Sequence, residues 1–139
     1  METDQLEMMI KMALAVRRRA YAPYSKFHVG ACVEANDGSL YAGCNIENSS
    51  FSPTICAERT AIFKAVSEGK INFLKIAVVG ADSENETPVN YCPPCGVCRQ
   101  VMREFCGNDF EIIIAKSCDD YKVKKLSELL PESFDKREV

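Results

Sequence analysis

The segment between residues 73 and 115 holds two apolar runs, FLKIAVVGA (73–81) and FEIIIA (110–115), on either side of a helical pattern over 95–105. Each run is continuous and short, which is typical of a strand that is buried on both faces of a sheet. A polar stretch, DSENETPVNY (82–91), separates the first run from the helix. This alternation of strand and helix predicts a sheet that is covered by helices.

The residues around this segment extend the same pattern. Asn36-Asp37-Gly38 predicts a tight hairpin turn, because Asp-Gly supplies the positive φ angles that such a turn needs. The element order becomes α-ββ-α-β-α-β-α, so we expect an α/β protein with a mixed β-sheet of about five strands sandwiched by helices, in a single domain over 1–139. The other predicted elements are a helix over 4–20, strands over 28–35 and 39–45, a helix over 56–68 and a short helix over 126–130.

Composition and charge exclude several classes of protein. The chain has 139 residues, 47% of them apolar and 27% charged, which is the usual balance of a globular domain. With 17 Lys+Arg against 20 Asp+Glu it lacks the cationic excess of a duplex nucleic-acid binder, and Arg17-Arg18-Arg19 is interpreted as a solvated helix face. No stretch approaches the roughly 18 apolar residues of a membrane span, and the N-terminus lacks the pattern of a secretory signal. We therefore expect a cytoplasmic protein with reduced thiols.

Eight cysteines accompany a single histidine, His28. One histidine excludes any zinc site that needs two or three histidines from one chain. The cysteines must then form disulfides, bind a metal or fill the core as small apolar side chains, and a reducing compartment disfavours disulfides. Cys32, Cys44, Cys106 and Cys118 lie in or beside predicted strands and helices and are interpreted as buried apolar residues.

The remaining cysteines include a candidate metal site. Cys56 opens one predicted helix, and Cys95 and Cys98 lie in the first turn of another. Free backbone N–H groups and the positive end of the helix dipole lower thiol pKa values there. If the two helix starts face one point, three thiolates can hold a zinc ion and leave the fourth tetrahedral position to water, as catalytic zinc sites do. Glu58 is then the candidate acid–base group, since a carboxylate is the natural choice where histidine is scarce.

Two alternatives stay open on the residues alone. Cys92 extends the second pair to Cys-x-x-Cys-x-x-Cys, which together with Cys56 would suit a four-sulfur structural zinc or an iron–sulfur cluster. Pro93-Pro94 makes it harder for Cys92 to reach the same metal. Arg59 either donates to the thiolates and offsets their excess negative charge, or it is an ordinary surface arginine.

Four ordered motifs, with the tail Glu128-Leu129-Leu130-Pro131, are spread over about residues 20–134, nearly the whole chain. They are Tyr24-Ser25-x-Phe27-x-Val29-Gly30-Ala31, Gly43-Cys44-Asn45-Ile46-Glu47-Asn48, Cys56-Ala57-Glu58-Arg59-Thr60-Ala61 and Pro94-Cys95-Gly96-x-Cys98-Arg99-Gln100-Val101. Cys-Ala-Glu followed by Pro-Cys-x-x-Cys resembles the zinc-dependent nucleoside and nucleotide deaminases. The full set resembles the small homotetrameric cytidine deaminases, and it implies their fold.

The resemblance implies roles for further residues. Asn45 and Glu47 look like the pair that hydrogen-bonds the ribose 3′-hydroxyl, and Phe27 looks like the aromatic residue that packs on the pyrimidine. Ala57, inside the Cys-Ala-Glu motif, is assigned to the substrate site. Phe134 matches an aromatic residue that reaches a neighbouring subunit's site in these tetramers.

The implied activity is hydrolytic deamination of cytidine, and of deoxycytidine, to the uracil nucleoside and ammonia in pyrimidine salvage. The resemblance assigns one Zn²⁺ per chain to Cys56, Cys95 and Cys98, with Glu58 as the proton shuttle and Arg59 bonded to the thiolates. A small nucleoside, rather than a nucleic acid or a membrane, is the expected partner. Each site is expected to be completed by a neighbouring subunit of a homotetramer.

Two positions depart from the family's pattern, namely Pro93 where a Ser is usual and Phe51 where a Tyr is common. Two rival functions also stay open. One is a deaminase of another aminopyrimidine, either a blasticidin-type drug or a nucleotide, although the sequence has no obvious basic cluster for a phosphate. The other is a non-catalytic, zinc-stapled binding module, which would bind zinc without turning over any cytosine compound.

Overall fold

The computed structural model describes residues 2–82 and 87–136, with the backbone alone for residues 2 and 3. The α-helices in this part of the chain are α1 (Glu2–Val16), α2 (Ala57–Ser67), α3 (Gly96–Phe105) and α4 (Leu126–Leu129). The strands are β1 (Phe27–Ala35), β2 (Leu40–Cys44), β3 (Phe73–Asp82), β4 (Glu111–Ser117) and β5 (Asp120–Lys125).

The strands form one mixed sheet in the order β2-β1-β3-β4-β5. Strands β3 and β4 are parallel, with α3 as the crossover between them, and the other neighbouring strands are antiparallel. The turn between β1 and β2 places Gly38 at a φ of +90°, in the left-handed region that favours glycine. The predicted α/β class and the mixed sheet are confirmed.

Helices cover both faces of the sheet. On one face, α1 buries Met9, Ile10 and Ala13 against Cys32 and Ala77 of the strands. On the other face, α2, α3 and α4 pack against the alternate residues of the same strands in a larger apolar cluster. Successive side chains of a strand point to opposite faces, so the continuous apolar runs of β3 and β4 contribute to both clusters.

Two glycines let helices approach the sheet closely. A Cβ atom at Gly30 of β1 would lie 1.9 Å from the carbonyl oxygen of Ala13 in α1. A Cβ atom at Gly43 of β2 would lie 2.5 Å from the backbone nitrogen of Ala61 in α2. Each helix backbone therefore rests directly on a strand at a point where the strand has no side chain.

The elements differ from the predictions at two places. The helix predicted over 4–20 ends at Val16 and continues as a 3-10 turn over Arg17–Arg19. Strand β5 is not predicted by the sequence pattern, because DYKVKK is mostly charged and its side chains are mostly exposed. An edge strand pairs on one side alone and often carries charged residues, so apolar alternation is a weak signal there.

The interpretation of Arg17-Arg18-Arg19 as a solvated face is wrong for its first residue. Arg17 is 3% exposed. Its guanidinium donates hydrogen bonds of 3.3 Å to the carbonyl oxygens of His28 in β1 and of Ala81 and Asp82 in β3. The buried cation thus ties the end of α1 to the edge of the sheet where these two strands meet.

The start of β1 and the ends of β2 and β3 lie along that edge. Phe27, which starts β1, pairs with Asp82 at the end of β3, and Gly30 pairs with Cys44 at the end of β2. The edge is therefore the carboxyl end of β3, the side on which open α/β sheets bind their ligands.

Candidate metal centre and active site

Two helices begin with a cysteine at this edge of the sheet. Cys56 is the N-cap residue of α2 and Cys95 is the N-cap residue of α3, both with an extended backbone. The Sγ atom of Cys95 accepts a hydrogen bond from the backbone N–H of Cys98, 3.5 Å away. The Sγ atoms of Cys56 and Cys95 are 3.6 Å apart, so the two helix starts face one point.

Cys98 completes a group of three thiols. The Sγ atoms of Cys56, Cys95 and Cys98 all lie within 4.8 Å of one another, and within residues 2–82 and 87–136 they form the one such group. A tetrahedral zinc with Zn–S bonds of about 2.3 Å separates its sulfur atoms by roughly 3.8 Å. The spacing of the thiols therefore fits a zinc ion, and three protein ligands leave one coordination position open.

The pKa values of Cys56 and Cys98 are also consistent with a metal site. Hydrogen bonding from Cys98, followed by that from Arg59, lowers the pKa of Cys56 although burial opposes the shift. The interaction with Cys56, followed by burial, raises the pKa of Cys98 above its ordinary value. One thiolate is favoured at the expense of its neighbour, and a divalent cation would compensate the negative charge that this pair carries when both are ionised.

Arg59 lies beside the thiols. Its Nη2 atom donates a hydrogen bond to the Sγ atom of Cys56 at 3.4 Å. Its Nε atom is buried and has no hydrogen-bond partner within the described part of the chain. This contact favours the interpretation of Arg59 as a donor that offsets part of the negative charge on sulfur.

Glu58 lies in the first turn of α2 and is 3% exposed. Burial raises the pKa of its carboxyl to about 7, and the negative charge of Cys56 adds to the shift. A group that titrates near neutral pH both accepts and releases a proton there, which is what a proton shuttle requires. Its carboxyl is thus suited to acid–base chemistry next to the thiols.

A cavity of about 280 Å³ lies in front of the thiol group, close to the lower end of the usual size range for small-molecule sites. Cys98 and Arg59 are not part of its lining, although both contact residues that are. The residues predicted from sequence that do line it are Phe27, Asn45, Glu47, Cys56, Ala57, Glu58 and Cys95. The fold therefore brings two of the candidate metal ligands, Cys56 and Cys95, and the predicted sugar-binding residues into one space.

Asn45, which follows β2, is held by the backbone of β1. Its Oδ1 atom accepts a hydrogen bond from the N–H of Val29, and its Nδ2 atom donates to the carbonyl of Phe27, both at 2.9 Å. An amide has a second N–H and a second lone pair, so one donor and one acceptor site remain for a ligand. The two backbone bonds fix the orientation in which they are offered.

Glu47 is held by the turn that precedes β1. Its Oε1 atom accepts hydrogen bonds from the N–H groups of Tyr24 and Ser25, each at 3.1 Å, and its Oε2 atom accepts from the hydroxyl of Ser25. Burial raises the pKa of Glu47, but these hydrogen bonds outweigh it and hold the pKa below the ordinary value. A charged carboxylate therefore lies in the cavity at neutral pH.

Cys92 and Phe27 meet over Gly80 of β3. A Cβ atom at Gly80 would lie 2.8 Å from the Sγ atom of Cys92 and 2.9 Å from Cε2 of Phe27, so the missing side chain makes room for both. Cys92 lines the cavity, and burial raises the pKa of its thiol to about 12. It does not belong to the thiol group, so the geometry does not support a four-sulfur site that includes Cys56.

Comparison with known proteins matches residues 3–114 to the cytidine and deoxycytidylate deaminase zinc-binding region. The chain belongs to this family of zinc-dependent deaminases. The cytidine deaminase of Sporosarcina psychrophila is 46% identical over 134 residues, which are 96% of this chain and 94% of that protein. The cytidine deaminase of Halalkalibacterium halodurans is 48% identical over 128 residues, 92% of each chain.

Solved structures of this deaminase family share the fold. The crystal structure of the cytidine deaminase from Burkholderia pseudomallei is 42% identical, with a TM-score of 0.81, and the match covers 91% of this chain and 97% of that chain. The cytidine deaminase from Mycobacterium tuberculosis is 34% identical with a TM-score of 0.77, over 91% and 94% of the two chains. The mixed sheet with helices on both faces is therefore the fold of this deaminase family.

Phe134, the remaining residue that the family resemblance singled out, does not line the cavity of its own chain. It is 56% exposed, and its carbonyl accepts a hydrogen bond from Gln100 at 3.2 Å. The buried Arg103 of α3 donates to the hydroxyl of Ser133 at 2.9 Å and pairs with Asp135 at 3.5 Å. The tail on both sides of Phe134 is thus fixed to α3.

The deaminase cavity has further lining residues that the sequence analysis did not assign to the site. Ser25 and Val29 belong to the motif that also contains Tyr24 and Phe27, and the Ser25 hydroxyl donates a hydrogen bond to Glu47. For the others no local pattern distinguishes a cavity wall from an ordinary core or loop residue. The unassigned lining residues are Ser25, Val29, Thr54, Ile55, Cys92 and Pro93.

Proposed function

We propose that the protein catalyses the hydrolytic deamination of cytidine and deoxycytidine to the uracil nucleoside and ammonia, with one Zn²⁺ per chain. The observation that carries the proposal is a single cavity lined by Glu58, Cys56 and Cys95 together with Asn45 and Glu47. A metal and a proton carrier, with hydrogen-bonding groups for a sugar in the same space, are what a nucleoside deaminase needs.

The thiols of Cys56, Cys95 and Cys98 would hold the zinc ion. When bound, zinc supplies the Lewis acidity that makes water a nucleophile at neutral pH. Three thiolates carry more negative charge than the ion carries positive charge, and this weakens that acidity. The hydrogen bond from Arg59 to Cys56 draws charge from the sulfur and restores part of it.

Glu58 moves the protons of the reaction. Its carboxylate accepts a proton from the attacking water and passes it to N3 of the cytosine ring while the water oxygen bonds to C4. Glu58 then takes the proton of the new C4 hydroxyl and delivers it to the amino group. The C4–N bond breaks, the C4–O bond becomes the carbonyl, and ammonia leaves, so that one water is consumed for each ammonia formed. Its buried position beside the thiols excludes bulk water from these transfers.

The other lining residues would bind the nucleoside. Asn45 and Glu47 hydrogen-bond the 3′-hydroxyl of the sugar, Phe27 packs on the pyrimidine, and Ala57 contacts the substrate at the start of α2. The charged carboxylate of Glu47 favours a sugar hydroxyl and repels a phosphate. No Lys or Arg occurs among the described residues that line the cavity, which favours a nucleoside over a nucleotide.

We also propose a homotetramer in which a neighbouring subunit completes each site. Large apolar side chains are exposed in this chain, notably Phe51 at 86%, Val97 at 57% and Phe134 at 56%. Exposed aromatic and apolar groups near a site are typical of surfaces that another subunit covers. In this arrangement Phe134 reaches the cavity of the neighbour.

The proposed location is the cytoplasm and the proposed role is pyrimidine salvage, with residues 1–139 as one domain. All eight cysteines are free, which supports a reducing compartment. Across residues 2–82 and 87–136 no helix has the length and apolar character needed to cross a membrane. The two apolar clusters lie on opposite faces of one sheet, which supports a single domain.

The test is a substrate panel with the zinc-loaded protein, followed by the absorbance change that accompanies deamination of cytosine. We expect turnover of cytidine and deoxycytidine, and none of cytidine monophosphate or of blasticidin S. Turnover of the nucleotide or the drug alone would assign the protein to another aminopyrimidine. Bound zinc without turnover of any of the four compounds would assign it to the non-catalytic modules.

A further inference from the structure

Residues 87–95, the described part of the loop between β3 and α3, lead into the thiol group and the cavity wall. Cys95 belongs to the thiol group and Cys92 lines the cavity, whereas Tyr91 belongs to neither the group nor the lining. We propose that Tyr91 is a positioning residue, which fixes this loop to the hairpin of β4 and β5 and thereby holds Cys95 in the geometry that binds the metal. The inference rests on the proposed zinc site.

Tyr91 lies among charged side chains of the hairpin. The Nζ atoms of Lys116 and Lys122 are 4.4 and 4.3 Å from the centroid of its ring. Its hydroxyl donates a hydrogen bond to Asp120, whose other carboxylate oxygen is 3.9 Å from the Nζ atom of Lys116. An ammonium group over an aromatic ring is attracted by the negative face of the ring. We refer to these four residues as the Tyr91 cluster.

The Tyr91 cluster lies on the same face of the sheet as the metal-binding helices. Lys122 of β5 pairs with Ile114 of β4, and Ile114 belongs to the apolar cluster that includes α2 and α3. Paired residues point to the same face of a sheet, and Tyr91 itself packs against that apolar cluster. The loop is therefore fastened to the β4–β5 hairpin, on the face of the sheet that α2 and α3 cover.

The link between Tyr91 and Cys95 is stiff. Two of the three residues between them are Pro93 and Pro94, and each proline ring fixes its own φ angle. Pro94 is fully buried, and its carbonyl accepts a hydrogen bond from Nε of Arg99 at 2.8 Å. A stiff link transmits a displacement of Tyr91 to Cys95 instead of absorbing it in the loop.

The experiment compares Tyr91→Leu and Tyr91→Phe with the wild-type protein, and it measures how fast zinc passes from the folded protein to a chromogenic chelator. The absorption spectrum of the cobalt-substituted protein gives a second readout, since it reports the geometry of the thiolate ligands. We expect Tyr91→Leu to release zinc about 10-fold faster and to change the cobalt spectrum, because supporting residues around a metal typically affect affinity to this extent. Tyr91→Phe keeps the ring under both ammonium groups and should retain most of the wild-type behaviour.

Tyr121→Leu is the matched control. Tyr121 is an exposed tyrosine of the same strand, β5, and it pairs with Ala115, which belongs to the apolar cluster on the α1 face. Because it lies on the opposite face from the Tyr91 cluster, its replacement should leave zinc release and the cobalt spectrum unchanged. Equal acceleration in Tyr121→Leu and Tyr91→Leu would overturn the inference, since both would then reflect a weaker hairpin.

Wild-type zinc release and cobalt spectrum in a folded Tyr91→Leu variant would also overturn the inference. If Tyr91→Leu does not fold, the double variant Lys116→Met with Lys122→Met removes the cations and keeps the ring. It should accelerate zinc release in the same direction, and an unchanged rate would contradict the role of the Tyr91 cluster. A wild-type protein that binds no zinc would instead refute the proposed zinc site, so the two failures are distinguishable.

Discussion

At the scale of single residues, Glu58 combines burial, a pKa of about 7 and a place in the cavity next to the thiol group. Glu58→Gln keeps the size of the side chain but removes its ability to take a proton. We expect kcat for cytidine to fall by at least about 100-fold, the lower bound for loss of a general acid–base group. Zinc content should stay near that of the wild-type protein, because Glu58 is not one of the thiol ligands.

Metal analysis beside the kinetic assay separates the two effects of this substitution. Loss of turnover together with loss of zinc would mean that Glu58 supports the metal site rather than the proton transfer. Retained turnover in a zinc-loaded Glu58→Gln protein would remove Glu58 from the mechanism.

Cys92 is the residue whose role the sequence leaves open. Cys92 lines the cavity, and its Sγ atom packs against Gly80, outside the thiol group. Cys92→Ser should therefore leave zinc binding intact, whereas Cys98→Ser, the matched change inside the group, should lower zinc content sharply. Zinc loss from Cys92→Ser, measured by metal analysis of the purified protein, would restore the four-sulfur alternative.

The candidate site could be predicted from sequence where a local rule applied. The pattern predicts that Cys56 and Cys95 open helices, and helix starts bring thiols and free N–H groups together. The contact of Cys92 and Phe27 over Gly80 follows no local rule, since these residues meet through the pairing of β1 with β3 and the path of a later loop. Such a contact joins residues that are far apart in the sequence, so no local sequence pattern predicts it.

At the scale of elements, the close approach of α1 to β1 depends on Gly30. Gly30→Ala would place a Cβ atom 1.9 Å from the backbone carbonyl of Ala13, and a backbone atom cannot rotate away as a side chain can. We expect the free energy of unfolding to fall by about 3 kcal/mol, the cost of severe overpacking in a core. Urea unfolding of the zinc-loaded protein measures the change.

Gly107→Ala is the control for this substitution. A Cβ atom at Gly107 has no neighbour within 4 Å, so the free energy of unfolding should change by less than about 0.5 kcal/mol. Similar losses in both variants would show that the helix contact at Gly30 is not the cause.

The burial of each strand decides whether its sequence predicts it. Strands β3 and β4 are buried on both faces, and their continuous apolar runs reflect this directly. Strand β5 is held by its backbone pairing with β4 and exposes most of its side chains, so its sequence carries little trace of it. The wrong interpretation of Arg17 has a related cause. A buried arginine that donates to carbonyls of two distant strands cannot be distinguished by sequence from a surface arginine.

At the scale of the whole molecule, the tail over residues 133–135 is fixed to α3 by buried contacts, yet it presents an aromatic side chain that does not line the cavity of its own chain. Arg103 and Asp135 are 7% and 8% exposed and form an ion pair, a costly arrangement to bury unless the geometry is well satisfied. The pair fixes the tail on α3, yet Phe134 between these contacts remains exposed. A rigid support for an exposed aromatic side chain is consistent with an anchor for a neighbouring subunit.

Mixing two inactive variants tests this arrangement directly. Glu58→Gln lacks the proton carrier and Phe134→Ala lacks the aromatic side chain, so each homo-oligomer should have low activity on cytidine. If Phe134 completes the site of a neighbour, random reassembly after dissociation of an equal mixture gives about one quarter of the sites an intact Glu58 and an intact Phe134 from different chains. Activity should then rise well above the mean of the two variants. A mixture that stays at the mean, with light scattering confirming that subunits exchanged, would place the function of Phe134 within its own chain.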